Sequence, residues 1–125
     1  EVLNSRAILL IAPEGTRSVN GKLQRGHGGI VPIALRNQAM ILPVAHYGGE
    51  RFWRNLKSLR RTRFYLRVGT PFYLKEPAGK GLKTARAEMT DEIMYQIARL
   101  LPPKYRGVYE DMEKATTRYL EFASS

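Results

Sequence analysis

Short continuous apolar runs dominate the first part of the chain. Residues 6–12 form one such run, which ends at Pro13, and residues 40–47 form another. Runs of this length are typical of strands buried on both faces of a parallel sheet. Between them, residues 29–38 carry apolar side chains at helical spacing. The order strand, loop, helix and strand predicts a right-handed βαβ unit.

The spacing of apolar residues changes in the second half of the chain. Residues 63–69 alternate between apolar and polar side chains, which predicts a strand with one wetter face near a sheet edge. Residues 82–100 carry apolar side chains three, four or seven positions apart, and Pro102 ends the pattern. Apolar side chains recur in the same way over residues 108–122, which predicts a second amphipathic helix covering the sheet. The predicted fold class is α/β with a helical C-terminal segment.

Composition narrows the classes of function. The chain has 125 residues, of which 43% are hydrophobic, and it has no cysteine, which excludes disulfides, zinc fingers and thiol nucleophiles. No apolar run approaches the roughly 20 residues that a membrane-spanning helix needs. Twenty-one Lys and Arg against 11 Asp and Glu give a net charge of +10, and no acidic residue occurs between 51 and 75. That segment favours an anionic partner: nucleic acid, lipid headgroups or a phosphorylated small molecule.

Residues 51–63 predict a helix with one apolar and one basic face. In one interpretation it is interfacial, with its apolar side chains in lipid and its cations at anionic headgroups. In the other, the apolar face packs on the sheet and the basic face is solvated. The first interpretation makes five residues membrane contacts: Phe52, Trp53, Arg54, Arg60 and Arg61.

The loop that follows the first predicted strand carries the chemistry. In open α/β sheets, ligands bind beyond the carboxyl ends of the strands. Gly15 allows backbone N–H groups to approach an anion, Thr16 and Ser18 offer hydroxyl donors, and Arg17 offers a bidentate fork for a phosphate. Glu14 would orient that arginine or accept a hydrogen bond from an acceptor hydroxyl. A plain polar turn with a local salt bridge is the alternative.

Residues 12–18 resemble the phosphate-binding motif of the 1-acylglycerol-3-phosphate acyltransferases, with Ala12 in place of the usual aromatic residue. Residues 34–36 and 41–45, the latter containing Pro43 and Val44, are similar to the helix and the Pro-Val strand that follow in that family. Similarity to later parts of the family occurs at residues 48–53 and 68–72, so the resemblance covers roughly residues 4–75. Residues 25–29 depart from the family, in which an aromatic residue and a lysine often precede the last glycine.

The resemblance implies a fold, a reaction and a location. The fold would be an incomplete glycerol-phosphate-acyltransferase-like sheet with covering helices, with residues 1–75 the C-terminal portion of the domain and residues 76–125 a helical extension packed on it. The reaction would be acyl transfer from acyl-CoA or acyl carrier protein to a lysophospholipid such as lysophosphatidic acid, with no other cofactor. The protein would lie peripherally on the cytoplasmic face of an anionic membrane. Six residues would bind the acceptor phosphate: Glu14, Gly15, Thr16, Arg17, Ser18 and Pro43.

The family's catalytic His-x4-Asp pair is absent from this sequence. His27 is followed five positions later by Pro32, and His46 by Arg51. In the family this histidine is the general base that acts on the acceptor hydroxyl. We therefore expect no catalytic residue in this chain, which would be a piece of a larger enzyme that binds but does not catalyse alone.

The two histidines themselves have modest expected roles. His27 would be an exposed loop residue or a donor to the anion, and His46 a structural residue at a strand end. With two histidines and no neighbouring carboxylate cluster, we expect no metal site.

Two other functions fit parts of the sequence. One is a non-catalytic relative that keeps the lipid-phosphate site, and the other is a basic module that binds nucleic acid. The second does not explain the composition of residues 14–18, and we expect no nucleic-acid partner.

Overall fold

The computed structural model describes residues 8–11, 22–48, 56–59, 61, 64–77 and 81–123. Helices and small antiparallel sheets alternate along these ranges, which agrees with the predicted incomplete α/β fold. In chain order the elements are helix α1 (Ile30–Asn37), strands β1 (Val44–Tyr47), β2 (Tyr65–Val68) and β3 (Phe72–Leu74), helix α2 (Leu82–Ala98), three 3₁₀ turns and strand β4 (Leu120–Phe122).

The helix predicted over residues 29–38 is confirmed as α1. It begins after Gly29 and ends at Gln38, whose left-handed backbone, with φ of 50°, stops the helix. Val31 and Ala34 are buried. Val31 joins the main hydrophobic cluster, and Ile30 packs against it. Of the residues on which the helix prediction rested, Ala34 is buried, and Ile30 and Ile33 are half-buried.

Strands β1 and β2 form an antiparallel ribbon, with Val44 opposite Val68. One face of the ribbon packs inward, where Ala45 is buried in a cluster with Leu101 and Tyr105. The other face is open, and every residue of β2 is exposed, so the strand predicted over residues 63–69 is found but the drier face expected for it is not.

The prediction of a parallel βαβ sheet is wrong for the part of the chain that is described. β1 pairs with a later strand in the antiparallel sense. Residues 8–11, the described part of the first apolar run, are not a strand, and Ile8 and Leu10 are 94% and 93% exposed. A buried strand needs a neighbour to satisfy its backbone groups, and no described strand lies beside this run.

Helix α2 confirms the periodicity of residues 82–100 and organises the core. Ala85, Met89 and Ile93 lie in one buried cluster with residues of α1, β3 and β4. A further cluster, which contains Met94 and Ala98, packs the end of α2 against the C-terminal segment.

The second helix predicted over residues 108–122 is wrong. The segment forms 3₁₀ turns at Pro103–Tyr105, Gly107–Tyr109 and Met112–Lys114, and then β4. Gly107 has φ of 58°, which breaks helical geometry, and the end of the segment pairs with β3, with Leu120 opposite Leu74. Successive 3₁₀ turns produce an apolar spacing close to that of an α-helix, which explains the misassignment.

β4 ties the C-terminal segment to residues before α2. The N–H of Lys75 donates to the carbonyl of Tyr119 at 2.8 Å, and the N–H of Ala123 donates to the carbonyl of Pro71 at 2.9 Å. The division of the chain into residues 1–75 and 76–125 stays a prediction.

No helix in the described ranges has the length and apolar character required to cross a bilayer.

Candidate functional site

Most of the predicted site residues lie outside the described residues. This holds for the five predicted acceptor-phosphate residues 14–18, and for Phe52, Trp53, Arg54 and Arg60 of the predicted membrane-contact set. Their roles stay predictions. Pro43 and Arg61 are described.

Pro43 is buried immediately before β1 and joins two segments that are far apart in sequence. Its carbonyl accepts a hydrogen bond from the N–H of Gly69 at 2.8 Å. Two residues earlier, Ile41 and Phe72 exchange backbone hydrogen bonds of 2.7 and 3.0 Å. Two segments that each resemble a part of the same family, residues 41–45 and residues 68–72, are therefore neighbours in the structure.

The described end of the basic segment is open to solvent. Leu56 and Leu59 are 52% and 93% exposed, and Lys57 and Arg61 are exposed beside them. These two leucines do not pack on the sheet. At this end of the segment, the apolar and cationic side chains are both available to a partner.

The glycine-rich loop after the predicted phosphate motif, described over residues 22–29, is held by the C-terminal part of the chain. The N–H of Leu23 donates to the carbonyl of Tyr105 at 2.9 Å, and the N–H of Gly26 donates to the phenol oxygen of Tyr109 at 2.9 Å. No local sequence pattern indicates these contacts, because they join residues more than 80 positions apart.

Arg86 of α2 also contacts this loop. Its Nε donates to the carbonyl of Gly28 at 2.8 Å. The approach is close enough that a Cβ atom at residue 28 would lie 2.7 Å from that Nε, so glycine is required there for the contact. The same carbonyl accepts from the N–H of Val31 at 3.2 Å in the first turn of α1.

A cleft of about 380 Å³ lies between this loop and the N-terminal half of α2. The residues that line it are Arg25, Gly26, Gly28, Lys83, Arg86, Ala87, Thr90 and Asp91. Among these described lining residues three are cations and one is an acid, which gives them a net charge of +2. Thr90 is buried, and its hydroxyl donates to the carbonyl of Arg86 at 2.8 Å. The charged side chains are therefore the polar groups that lie at the opening of the cleft.

Tyr109 lies behind the loop in a largely apolar setting. Burial raises the pKa of its phenol above the ordinary value near 10, and the hydrogen bond from the N–H of Gly26 opposes this rise in part. Tyr95, whose ring meets that of Tyr109 edge-on with centroids 5.1 Å apart, also has a raised pKa because of burial. Both phenols are neutral at physiological pH and serve as packing and hydrogen-bonding groups.

A smaller cavity of about 220 Å³ lies between α2 and the C-terminal segment. Its buried carboxylate, Glu92, is occupied by the protein's own donors: the hydroxyl of Thr116 and the N–H groups of Arg118 and Tyr119. This cavity is therefore structural. Over the described ranges, no group of three or more His, Cys, Asp or Glu side chains is arranged to hold a metal ion.

One known protein family matches part of this chain. Residues 1–47 match the model of the family described as Acyltransferase. The match runs through the predicted phosphate motif and α1 to the end of β1. It supports an acyltransferase without distinguishing the type of acceptor or donor. No solved structure matches the chain.

Proposed function

We propose, from the acyltransferase match of residues 1–47, that this chain serves the transfer of a fatty acyl group to a lysophospholipid in phospholipid biosynthesis. Lysophosphatidic acid is the acceptor that its motif suits, and the chain supplies the site for the acceptor's phosphate. The observation that carries the proposal is the position of residues 13–18 inside the matched region, directly after an apolar run.

Each residue of the proposed acceptor site has a separate role. Arg17 binds the phosphate through its planar fork, and Gly15 and Thr16 add backbone and hydroxyl donors. Glu14 holds the arginine in place. Pro43 shapes the neighbouring strand, which its hydrogen bond with Gly69 fixes to β2.

The transfer reaction needs a general base, and this sequence does not supply one in the form of a His-x4-Asp pair. The acceptor hydroxyl oxygen attacks the thioester carbonyl, the carbon–sulfur bond breaks, and the hydroxyl proton passes through a general base to the thiolate that leaves. The donor is acyl-CoA or an acylated carrier protein. The sequence contains no His-x4-Asp pair to act as that base, so we assign this chain to acceptor binding.

A peripheral membrane position completes the proposal. The acceptor and product are membrane lipids, and the basic segment meets the anionic surface on the cytoplasmic side. Support comes from the exposure of Leu56 and Leu59 beside the cations Lys57 and Arg61. Apolar side chains flanked by cations are the features that bind a protein to an anionic interface.

A titration tests the proposed acceptor. A short-chain lysophosphatidic acid, hexanoyl-glycerol-3-phosphate, should bind the chain, whereas hexanoylglycerol, which lacks the phosphate, should not. Binding of neither lipid, together with salt-sensitive binding of duplex DNA that the lysolipid does not displace, would instead favour a nucleic-acid module.

The absence of the His-x4-Asp pair favours one second candidate, a lipid-phosphate-binding relative without catalysis. Sequencing of the source DNA upstream of Glu1 separates the two. An in-frame His-x4-Asp supports the enzyme, and a start codon with no such pair after it supports the non-catalytic relative.

A further inference from the structure

Cations without carboxylate partners surround the cleft between the glycine-rich loop and α2. Arg25, Lys83 and Arg86 line it, and none of the three makes an ion pair with another described residue. Arg25 and Lys83 are exposed at its opening. Asp91 is the one acid among the described lining residues, so the cations outnumber it, and a bound anion would reduce their mutual repulsion.

Arg86 is oriented by the protein. Its Nε is held by the carbonyl of Gly28 at 2.8 Å, and that is the one hydrogen bond its guanidinium makes with the described residues. An arginine held through Nε keeps its remaining N–H donors for a ligand, and those donors match the oxygen atoms of a phosphate. The glycine at position 28 makes this orientation possible, because a side chain there would displace the guanidinium.

We propose that this cleft, which we call the loop–α2 cleft, binds a phosphate monoester. The charge of +2 on its described lining residues, from Arg25, Lys83 and Arg86 against Asp91, matches a phosphate dianion. Its volume of about 380 Å³ exceeds that of a phosphate ion, so the alcohol portion of a monoester fits with it. This proposal goes beyond the acceptor site assigned to Arg17, because Arg25, Lys83 and Arg86 are not part of the acceptor motif.

Two sources supply such a group in the proposed reaction. One is a glycerol phosphate, as in the acceptor, and the other is the 3′-phosphate of a coenzyme A nucleotide, as in the donor. Both present a phosphate monoester on a secondary or primary alcohol. The test therefore uses one probe of each kind, with matched compounds that lack the phosphate.

The experiment is a titration of the ¹⁵N-labelled chain followed by NMR. Glycerol 3-phosphate and adenosine 3′,5′-bisphosphate are the probes, and glycerol and adenosine are their controls. We expect saturable shifts of the amides of Gly26, Gly28 and Ala87 with a phosphorylated probe and none with the controls. Tighter binding of the first probe assigns the cleft to the acceptor, and tighter binding of the second assigns it to the donor. The absence of saturable shifts with both probes overturns the proposal.

Variants connect the binding to the cleft. The double change Arg25→Gln and Lys83→Gln should weaken binding about tenfold for each cation removed, the size expected for a charge-assisted hydrogen bond. Both side chains are exposed, so the fold should be retained. The matched control, Arg36→Gln with Arg99→Gln, removes two exposed cations elsewhere and should leave affinity unchanged. Equal losses in the two pairs would show a general charge effect and refute the site.

Two single changes separate this inference from the proposed function. Arg86→Gln should abolish the shifts at the cleft, and a retained affinity in that variant would count against the proposal. Arg17→Lys should leave the shifts at Gly26, Gly28 and Ala87 intact. Loss of lysophosphatidic acid binding with intact shifts, or the reverse, shows that one site failed without the other.

Discussion

The carboxylate of Glu92, in the middle of α2, accepts a hydrogen bond of 2.9 Å from the backbone N–H of Tyr119. Glu92 is 1% exposed. The same carboxylate accepts from the N–H of Arg118 at 3.1 Å and from the hydroxyl of Thr116. One buried side chain thus satisfies two backbone donors of the turn before β4, and it fixes the direction in which β4 approaches β3.

Replacement of Glu92 by Gln should destabilise the protein by about 2 kcal/mol, because hydrogen bonds to a charged acceptor are lost and a buried donor is left unsatisfied. Glu88→Gln is the matched control on the same helix. Glu88 pairs with Arg118 at 3.2 Å on the surface, where such pairs contribute about 0–1 kcal/mol. Urea unfolding measures both changes. Equal losses of unfolding free energy would mean that Glu92 does not anchor the segment.

Gly107 should be intolerant of a side chain. Its φ of 58° lies in the left-handed region, and a Cβ atom there would collide with the carbonyl oxygen of Leu23. We expect Gly107→Ala to lower the free energy of unfolding by about 1–3 kcal/mol, the range for forced backbone strain. Gly29→Ala is the control, since a Cβ at Gly29 meets no atom within 4 Å and its φ is −63°. A loss confined to Gly107 supports the contact between the C-terminal turn and the loop.

Stability should fall in alkaline solution partly because of Tyr109. Burial raises the pKa of its phenol above the ordinary value near 10. Above that value the unfolded chain loses the proton first, so the stability due to this group is present below pH 10 and is lost as the pH rises through the folded-state pKa.

Tyr109→Phe should therefore reduce the alkaline loss of stability, measured as the denaturation midpoint between pH 8 and pH 11. It should also cost about 1 kcal/mol near neutral pH, because the N–H of Gly26 loses its acceptor. Tyr73→Phe, at an exposed position of β3, should keep the wild-type pH dependence. An unchanged alkaline slope in the Tyr109 variant would contradict the assignment.

The sequence predicted those elements whose pattern is local. α1 and α2 follow from apolar spacing over a few turns, and the strands at β1 and β2 from short apolar or alternating runs. Residues 41–45 and residues 68–72 each resemble a part of the same family. The hydrogen bond between Pro43 and Gly69 shows that they lie side by side.

The errors arise where distant residues decide the structure. The segment before β4 has helical spacing, yet Gly107 and the hydrogen bonds to Glu92 select turns and a strand. The loop–α2 cleft was missed because Arg25 and Arg86 lie 61 positions apart in sequence and no motif links them. Charge counting predicted an anionic partner for residues 51–75, and that stays a prediction.

The central claim is that Arg17 binds the phosphate of a lysophospholipid acceptor, and the most direct test is the dissociation constant of hexanoyl-glycerol-3-phosphate for the wild type and for Arg17→Lys. The lysine keeps the charge but loses the bidentate fork, so we predict about tenfold weaker binding with an unchanged thermal midpoint. Arg36→Lys, an exposed arginine of α1, should bind as the wild type does. Equal dissociation constants for the wild type and Arg17→Lys would contradict the account.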